Sequence, residues 1–168
     1  MPRRLNYDER PVPTSITPER PDTPDARALI SELEAELTPL YPSESCHGYA
    51  VEKLIAQAVA FFVIRHDGRP AGCGGIQLFG VEYGELKRMY VRPQFRGLGL
   101  AKAMVDHLAD HARRHGVGLL RLETGIHQRE AIGLYERMGF RDIPPFGDYK
   151  PDPLSRFYEK RIRSRRAR

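Results

Sequence analysis

The sequence predicts an α/β protein of the α+β kind: a mixed, mainly antiparallel sheet of roughly six or seven strands with about four helices on its faces. Three observations carry this expectation. Apolar spacing switches between helical and strand-like periods along the chain. The segments run strand, two helices, three strands, helix, strand, helix, two strands. Strand-helix-strand units are mixed with a tight hairpin, and no internal repeat is present.

Each element has a local reason. Residues 1–22 contain five prolines and little apolar material, so 1–13 is expected to be flexible, with Thr14–Pro18 as a first edge strand. Thr23-Pro24-Asp25 starts a helix, with Thr as N-cap, Pro at the first helical position and an acid in the first turn. Leu29, Ile30, Leu33, Leu37 and Leu40 follow at helical spacing until Pro39 and Pro42 stop it, and Val51, Leu54, Ile55 and Ala58 mark a second, short helix. Phe61–Ile64 and Ala71–Phe79 pair as a hairpin around Asp67-Gly68. A loop at Gly80–Gly84 leads to a strand from Glu85 to Val91, ended by Pro93. A long helix runs from Leu100 to His115, closed by Gly116 in the left-handed conformation. Leu119–Thr124 is a strand and Gln128–Met138 a helix. Phe140–Ile143 and Ser155–Ile162 are the last strands, separated by the proline-rich loop Pro144–Pro153.

Composition narrows the function classes. The 168 residues suit one domain, and 40% apolar with 29% charged content is that of a globular chain. No stretch approaches the ~18 apolar residues of a membrane span, and the N-terminus lacks an apolar signal core. Cys46 and Cys73 form no C-x-x-C pair, which argues against a disulfide framework or zinc knuckle and fits a reducing cytoplasm. The formal charge of +5 belongs to the tail: Lys160–Arg168 hold six basic residues, leaving 21 basic against 22 acidic residues in 1–159. The tail reads as a solvated terminus, so no nucleic-acid or membrane partner is expected. His107, His111 and His115 lie four apart on one helix, at the margin of its buried face, and are read as boundary residues without a metal. Cys73 has no neighbouring base that would make it a nucleophile.

Chemistry concentrates after the third hairpin strand. In Gln94-Phe95-Arg96-Gly97-Leu98-Gly99-Leu100-Ala101, a strand ends, a tight turn forms and an amphipathic helix begins. Two glycines admit a ligand to the backbone, the first helical turn offers unpaired N–H groups, and Arg96 adds a charge. This is an anion site suited to phosphate or pyrophosphate, unless the glycines merely relieve crowding. It is neither a dinucleotide fingerprint, because the third glycine position is Lys102, nor an NTPase phosphate loop, because no G-x-x-x-x-G-K-[ST] is present.

Gln94–Gly99 resembles the [QR]-x-x-G-x-[GA] signature of the GNAT superfamily of acyl-CoA-dependent N-acetyltransferases. Ala131-Ile132-Gly133-Leu134-Tyr135-Glu136-Arg137-Met138-Gly139-Phe140 is similar to its A-x-x-L-Y-x-x-x-G-F block. The resemblance covers residues 14–162 as one domain, with 163–168 as the basic tail. It implies a three-layer fold whose sheet splays between strands 4 and 5, and acetyl-CoA as cosubstrate without a metal. Met89, Tyr90 and Val91 would border the pantetheine, and backbone N–H groups from Arg96 through Leu98 and Leu100 to Ala101 would hold the pyrophosphate. Gln128 stands where the family usually has Asn. By the same resemblance Tyr135 is the general acid at the departing thiolate, and Glu123 or Glu85 is the base, acting through a water.

The acceptor pocket would be built by the first helices and the late loops, drawing on Tyr41, Phe146 and Tyr149. Lys87 and Arg88 could meet a carboxylate, favouring an amino-acid-like acceptor, but strand alternation sends the two to opposite faces. The implied activity is acetyl transfer to the primary amine of a small molecule by a monomer or homodimer. Transfer to a protein N-terminus or lysine, and non-catalytic acyl-CoA sensing, remain the alternatives.

Overall fold

The computed structural model describes residues 10–45 and 50–163. Cys46, residues 1–9 of the N-terminal segment and residues 164–168 of the tail lie outside them. Among the described residues, one seven-stranded sheet contains β1 (Thr14–Pro18), β2 (Ala60–His66), β3 (Arg69–Phe79), β4 (Tyr83–Val91), β5 (Leu119–Gly125), β6 (Arg141–Ile143) and β7 (Ser155–Arg161) in the order β1-β2-β3-β4-β5-β7-β6. The helices are α1 (Pro24–Leu37), α2 (Val51–Ala56), α3 (Leu100–Arg114) and α4 (Arg129–Arg137). Only β4 and β5 pair in parallel, because α3 carries the chain back between them; the other neighbours are antiparallel.

The sheet has helices on both sides. Leu29, Ile30 and Leu33 of α1 and Leu54 of α2 pack on Phe61, Val63 and Cys73. On the opposite face Met104, Leu108 and Ala112 of α3 pack on Phe62, Ile64, Ile76 and Leu120. The unbroken run Phe61–Ile64 is thus a central strand buried on both faces, which is why it shows no alternation. Asp67 and Gly68 have φ of 52° and 73°, the double left-handed geometry of a type I′ hairpin.

Three of the boundaries that differ from expectation have a local cause. α2 stops at Ala56, and Ala58 has turned to φ 52°. Leu40 lies beyond α1, which is closed when the Thr38 hydroxyl donates to the Glu34 carbonyl. The loop expected at Gly80–Gly84 is shorter, because Phe79 and Tyr83 already pair across it and stack at 4.7 Å. Aromatic stacking therefore draws Tyr83 and Gly84 into β4.

The feature that makes a site is the fork between β4 and β5. They pair only at Gly84–Leu120 and Glu85–Arg121, after which they part. On its other edge β4 carries a bulge: Cys73 pairs with Tyr90 and Gly75 with Lys87, so β4 holds one extra residue there. Arg88 absorbs it with φ 54°, and the Cys73 thiol donates to its carbonyl at 3.2 Å. A bulge bends and twists its strand, turning the end of β4 away from β5.

Candidate functional site

The turn after β4 is built as an open cradle. Pro93–Phe95 form a 3₁₀ turn anchored by buried Phe95, and Gly97 and Gly99 follow with φ of 79° and 77°. A side chain added at either glycine would meet nothing within 4 Å. Crowding is therefore not the reason for these glycines; the left-handed backbone and the open space above it are. Gly99 caps α3 without a side-chain hydrogen bond, which leaves the first-turn N–H groups available to an anion.

A cavity of about 600 Å³ runs from this cradle along the end of β4 to α4. Of the residues expected to hold the cofactor, Met89, Tyr90, Val91, Arg96, Gly97, Gly99, Leu100, Ala101 and Gln128 line it, while Gln94 and Leu98 do not. Leu98 is 53% exposed. Two backbone groups here already have partners. The Arg96 N–H already donates to the Pro93 carbonyl at 3.2 Å, so the row of available donors begins at Gly97. The Val91 carbonyl accepts from the Arg96 Nε at 3.0 Å. The Arg96 guanidinium also bonds Glu36 of α1 at 2.9 Å, a link between the helix and the cradle that sequence spacing could not reveal. Lys102, Arg129 and Arg137 add cations to the same walls, and none carries a motif that would have marked it in advance.

A second cavity, of about 240 Å³, lies on the α1 side of the fork. Met89, Gln128, Ala131 and Tyr135 line both cavities, so the two meet there. The Tyr135 side chain is buried and packs edge-on against Phe140 at 5.5 Å. Its hydroxyl has no hydrogen-bond partner among the described residues, and burial pushes its pKa well above that of an ordinary phenol. It is therefore a protonated donor at neutral pH. Gln128 caps the turn into α4, its Oε1 accepting from the Gly125 N–H at 2.9 Å and the Thr124 hydroxyl at 3.3 Å.

The structure separates the two glutamates. Glu123 lines the smaller cavity, where the Ser155 hydroxyl donates to it at 2.9 Å. Glu85 does not line it; its carboxylate is ion-paired with Lys87 and accepts from the Tyr149 hydroxyl at 3.4 Å. Strand alternation misleads at Lys87 and Arg88, since both line the cavity: the bulge at Arg88 breaks the alternation. Arg88 is bound to Glu34 of α1 at 2.8 Å. Tyr41 and Tyr149 also line this cavity, and Tyr41 reaches across to accept from the His127 N–H at 3.0 Å. Phe146 is placed elsewhere, in an aromatic cluster with Tyr83, Tyr149 and Phe157, where Arg121 stacks on it.

Other singled-out residues have structural roles. His107 and His111 pack edge-on against Phe62 at 4.6 and 5.7 Å. Burial pushes the Cys73 thiol up to about 12, which keeps it protonated and unreactive. No group of three or more potential metal ligands occurs among the described residues, and no helix there is long and apolar enough to cross a membrane.

Known proteins resemble this chain in sequence and fold. The profile of the acetyltransferase (GNAT) family matches residues 27–140. An IAA acetyltransferase of Azospirillum brasilense is 44% identical over 133 residues, covering 79% of this chain and 87% of its own. The crystal structure of a putative acyl-CoA N-acyltransferase from Klebsiella pneumoniae is 38% identical and superposes with a TM-score of 0.76, covering 89% of this chain and 97% of its own. A GNAT acetyltransferase from Elizabethkingia anophelis, solved with acetyl-CoA bound, shares the fold at 18% identity, with a TM-score of 0.66 and coverage of 89% and 98%. Forked sheet, glycine cradle and family profile agree, and the chain belongs to the GNAT family of acetyltransferases.

Proposed function

We propose that the protein transfers the acetyl group of acetyl-CoA to the primary amine of a small molecule, directly, with both substrates bound together. One observation carries this reading: a long cavity over the glycine cradle meets a smaller pocket where Tyr135 lines both. The cradle N–H groups from Gly97 onward, with Arg96, would hold the diphosphate, and the unpaired edge of β4 at Met89 would hold the arm that carries the thioester.

The chemistry then follows from the residues at the junction. Glu123, through a water, takes a proton from the acceptor ammonium. The freed amine attacks the acetyl carbonyl, a C–N bond forms and the C–S bond breaks. Tyr135 gives its proton to the departing sulfur, and the second proton of the new amide nitrogen passes through water back to the Tyr135 phenolate. Glu85 is a poorer candidate for the base, because Lys87 neutralises it outside the cavity wall. The smaller cavity, about 240 Å³, falls below the ~300–1,000 Å³ typical of sites for drug-sized ligands, which favours a small acceptor over a peptide.

The test is calorimetry with acetyl-CoA followed by CoA-release assays on pooled amines, amino acids and peptides. Binding with release on small amines is the expected result. Release on peptides alone would point to protein acetylation, and binding without release on any pool to a sensor.

A further inference from the structure

Beyond Glu85–Arg121, β4 and β5 share no hydrogen bonds, so the sheet itself does not set the separation of their ends. Helix α1 braces that open end from both sides. Toward β4 the brace is ionic: Glu34 bonds Arg88 at 2.8 Å and Glu32 bonds Arg92 at 2.7 Å. Toward β5 it is Tyr41. This residue stands just past α1, and its N–H donates to the Leu37 carbonyl at 3.2 Å, which ties it to the helix. Its ring lies against Gly125, the last residue of β5, where an added Cβ would collide with the ring and its hydroxyl. Gly125 is not in the left-handed conformation, so room for this ring is what the glycine provides. The Tyr41 hydroxyl accepts from the His127 N–H at 3.0 Å, in the turn that starts α4. Gln128 holds the same turn, its Oε1 accepting from the Gly125 N–H at 2.9 Å. Tyr41 lines the smaller cavity and His127 the larger, so their bond joins a wall of one to a wall of the other.

We propose that Tyr41 is a positioning residue: its hydroxyl fixes the start of α4, and with it the Tyr135 phenol, relative to the thioester arm on β4. This rests on the acetyl-transfer reading, in which Tyr135 gives its proton to the departing sulfur, and deepens it. Proton transfer needs donor and acceptor within hydrogen-bond reach, and here the donor stands on one side of a fork and the sulfur is held from the other. Tyr41 acts through α4 and takes no part in bond making.

The test is a double-mutant cycle read by CoA release, with acetyl-CoA as donor and the best-used small amine of the pools as acceptor. Tyr41→Phe keeps the ring against Gly125 and removes the hydroxyl that holds the His127 N–H. Where chemistry limits the rate, it should lower kcat by about 3- to 10-fold, the worth of one hydrogen bond. The acetyl-CoA dissociation constant should stay unchanged, because the cradle belongs to α3. In a Tyr135→Phe background the same change should cost nothing further, because the group it positions is gone. A residue that only stabilised the fold would lower turnover alike in both backgrounds. An equal loss in both therefore overturns the positioning role alone, as does native kcat in Tyr41→Phe or a loss confined to KM. Thermal melts check folding. Gly125→Ala, which displaces the Tyr41 ring from the β5 side, should show the same pattern and decides the matter if Tyr41→Phe does not fold. Native turnover by Tyr135→Phe overturns the acid assignment and the positioning role with it. Protein that binds no acetyl-CoA, or releases no CoA with any amine, overturns acetyl transfer as well.

Discussion

Tyr135 and Glu36 illustrate how single side chains tune the site. The Tyr135 hydroxyl sits where the two cavities meet, kept neutral by burial. Tyr135→Phe removes the proton donor but little packing, so kcat should fall by ~10²-fold while the acetyl-CoA dissociation constant holds, measured where chemistry limits the rate. Glu36 acts in the opposite sense. Its carboxylate occupies Arg96 at the edge of the cradle that an anionic diphosphate would enter. Glu36→Gln should free Arg96 and tighten acetyl-CoA binding by roughly 2- to 5-fold, within the range of an exposed ion pair. The gain should shrink as salt rises, and calorimetry at two ionic strengths reads both effects.

At the scale of elements, the β4 bulge and the α3 face have separable consequences. The bulge holds Met89 at the fork, and Gly74 lies opposite it on β3. A Cβ on Gly74 would come within 2.7 Å of both Met89 Sδ and Met104 Cγ. Gly74→Ala should therefore lower Tm by roughly 3–9 °C, as overpacking costs about 1–3 kcal/mol, and acetyl-CoA affinity should fall with it as Met89 shifts. On α3, burial against Phe62 lowers the pKa of His107 and His111, helped by neighbouring cationic groups. The unfolded chain then takes up protons first on acidification. Their stabilisation is complete above the ordinary histidine pKa of ~6.5 and is lost as pH falls through the depressed folded values. Thermal melts from pH 7.5 to 5 should show a smaller decline for a His107→Gln/His111→Gln variant than for the native protein.

Across the whole molecule, α1 joins the two cavities. Glu32, Glu34 and Glu36, on successive alternate positions of this helix, bond Arg92, Arg88 and Arg96 at 2.7–2.9 Å. Leu33 and Leu37 of the same helix each line both cavities. Acetyl-CoA bound at 100 times its dissociation constant should stabilise the protein by about 2.7 kcal/mol. Amide exchange should slow in α1 as well as at the Gly97–Ala101 cradle; protection confined to the cradle would separate the helix from the cofactor.

The sequence was legible wherever a property is local. Caps, glycine turns and the period of apolar residues placed the helices and strands, because each depends on neighbours a few residues away. The two motifs, Gln94–Gly99 and Ala131–Phe140, marked the cradle and Tyr135 for the same reason. What separated Glu123 from Glu85, turned both Lys87 and Arg88 toward one cavity and bound Glu36 to Arg96 was the meeting of segments far apart in the chain. A strand bulge changes which way side chains point, and an ion pair over sixty positions leaves no periodic trace. Motif and period thus decided the family and the elements, while the forked sheet decided which charges line the smaller cavity, since only packing brings those side chains within reach of one another.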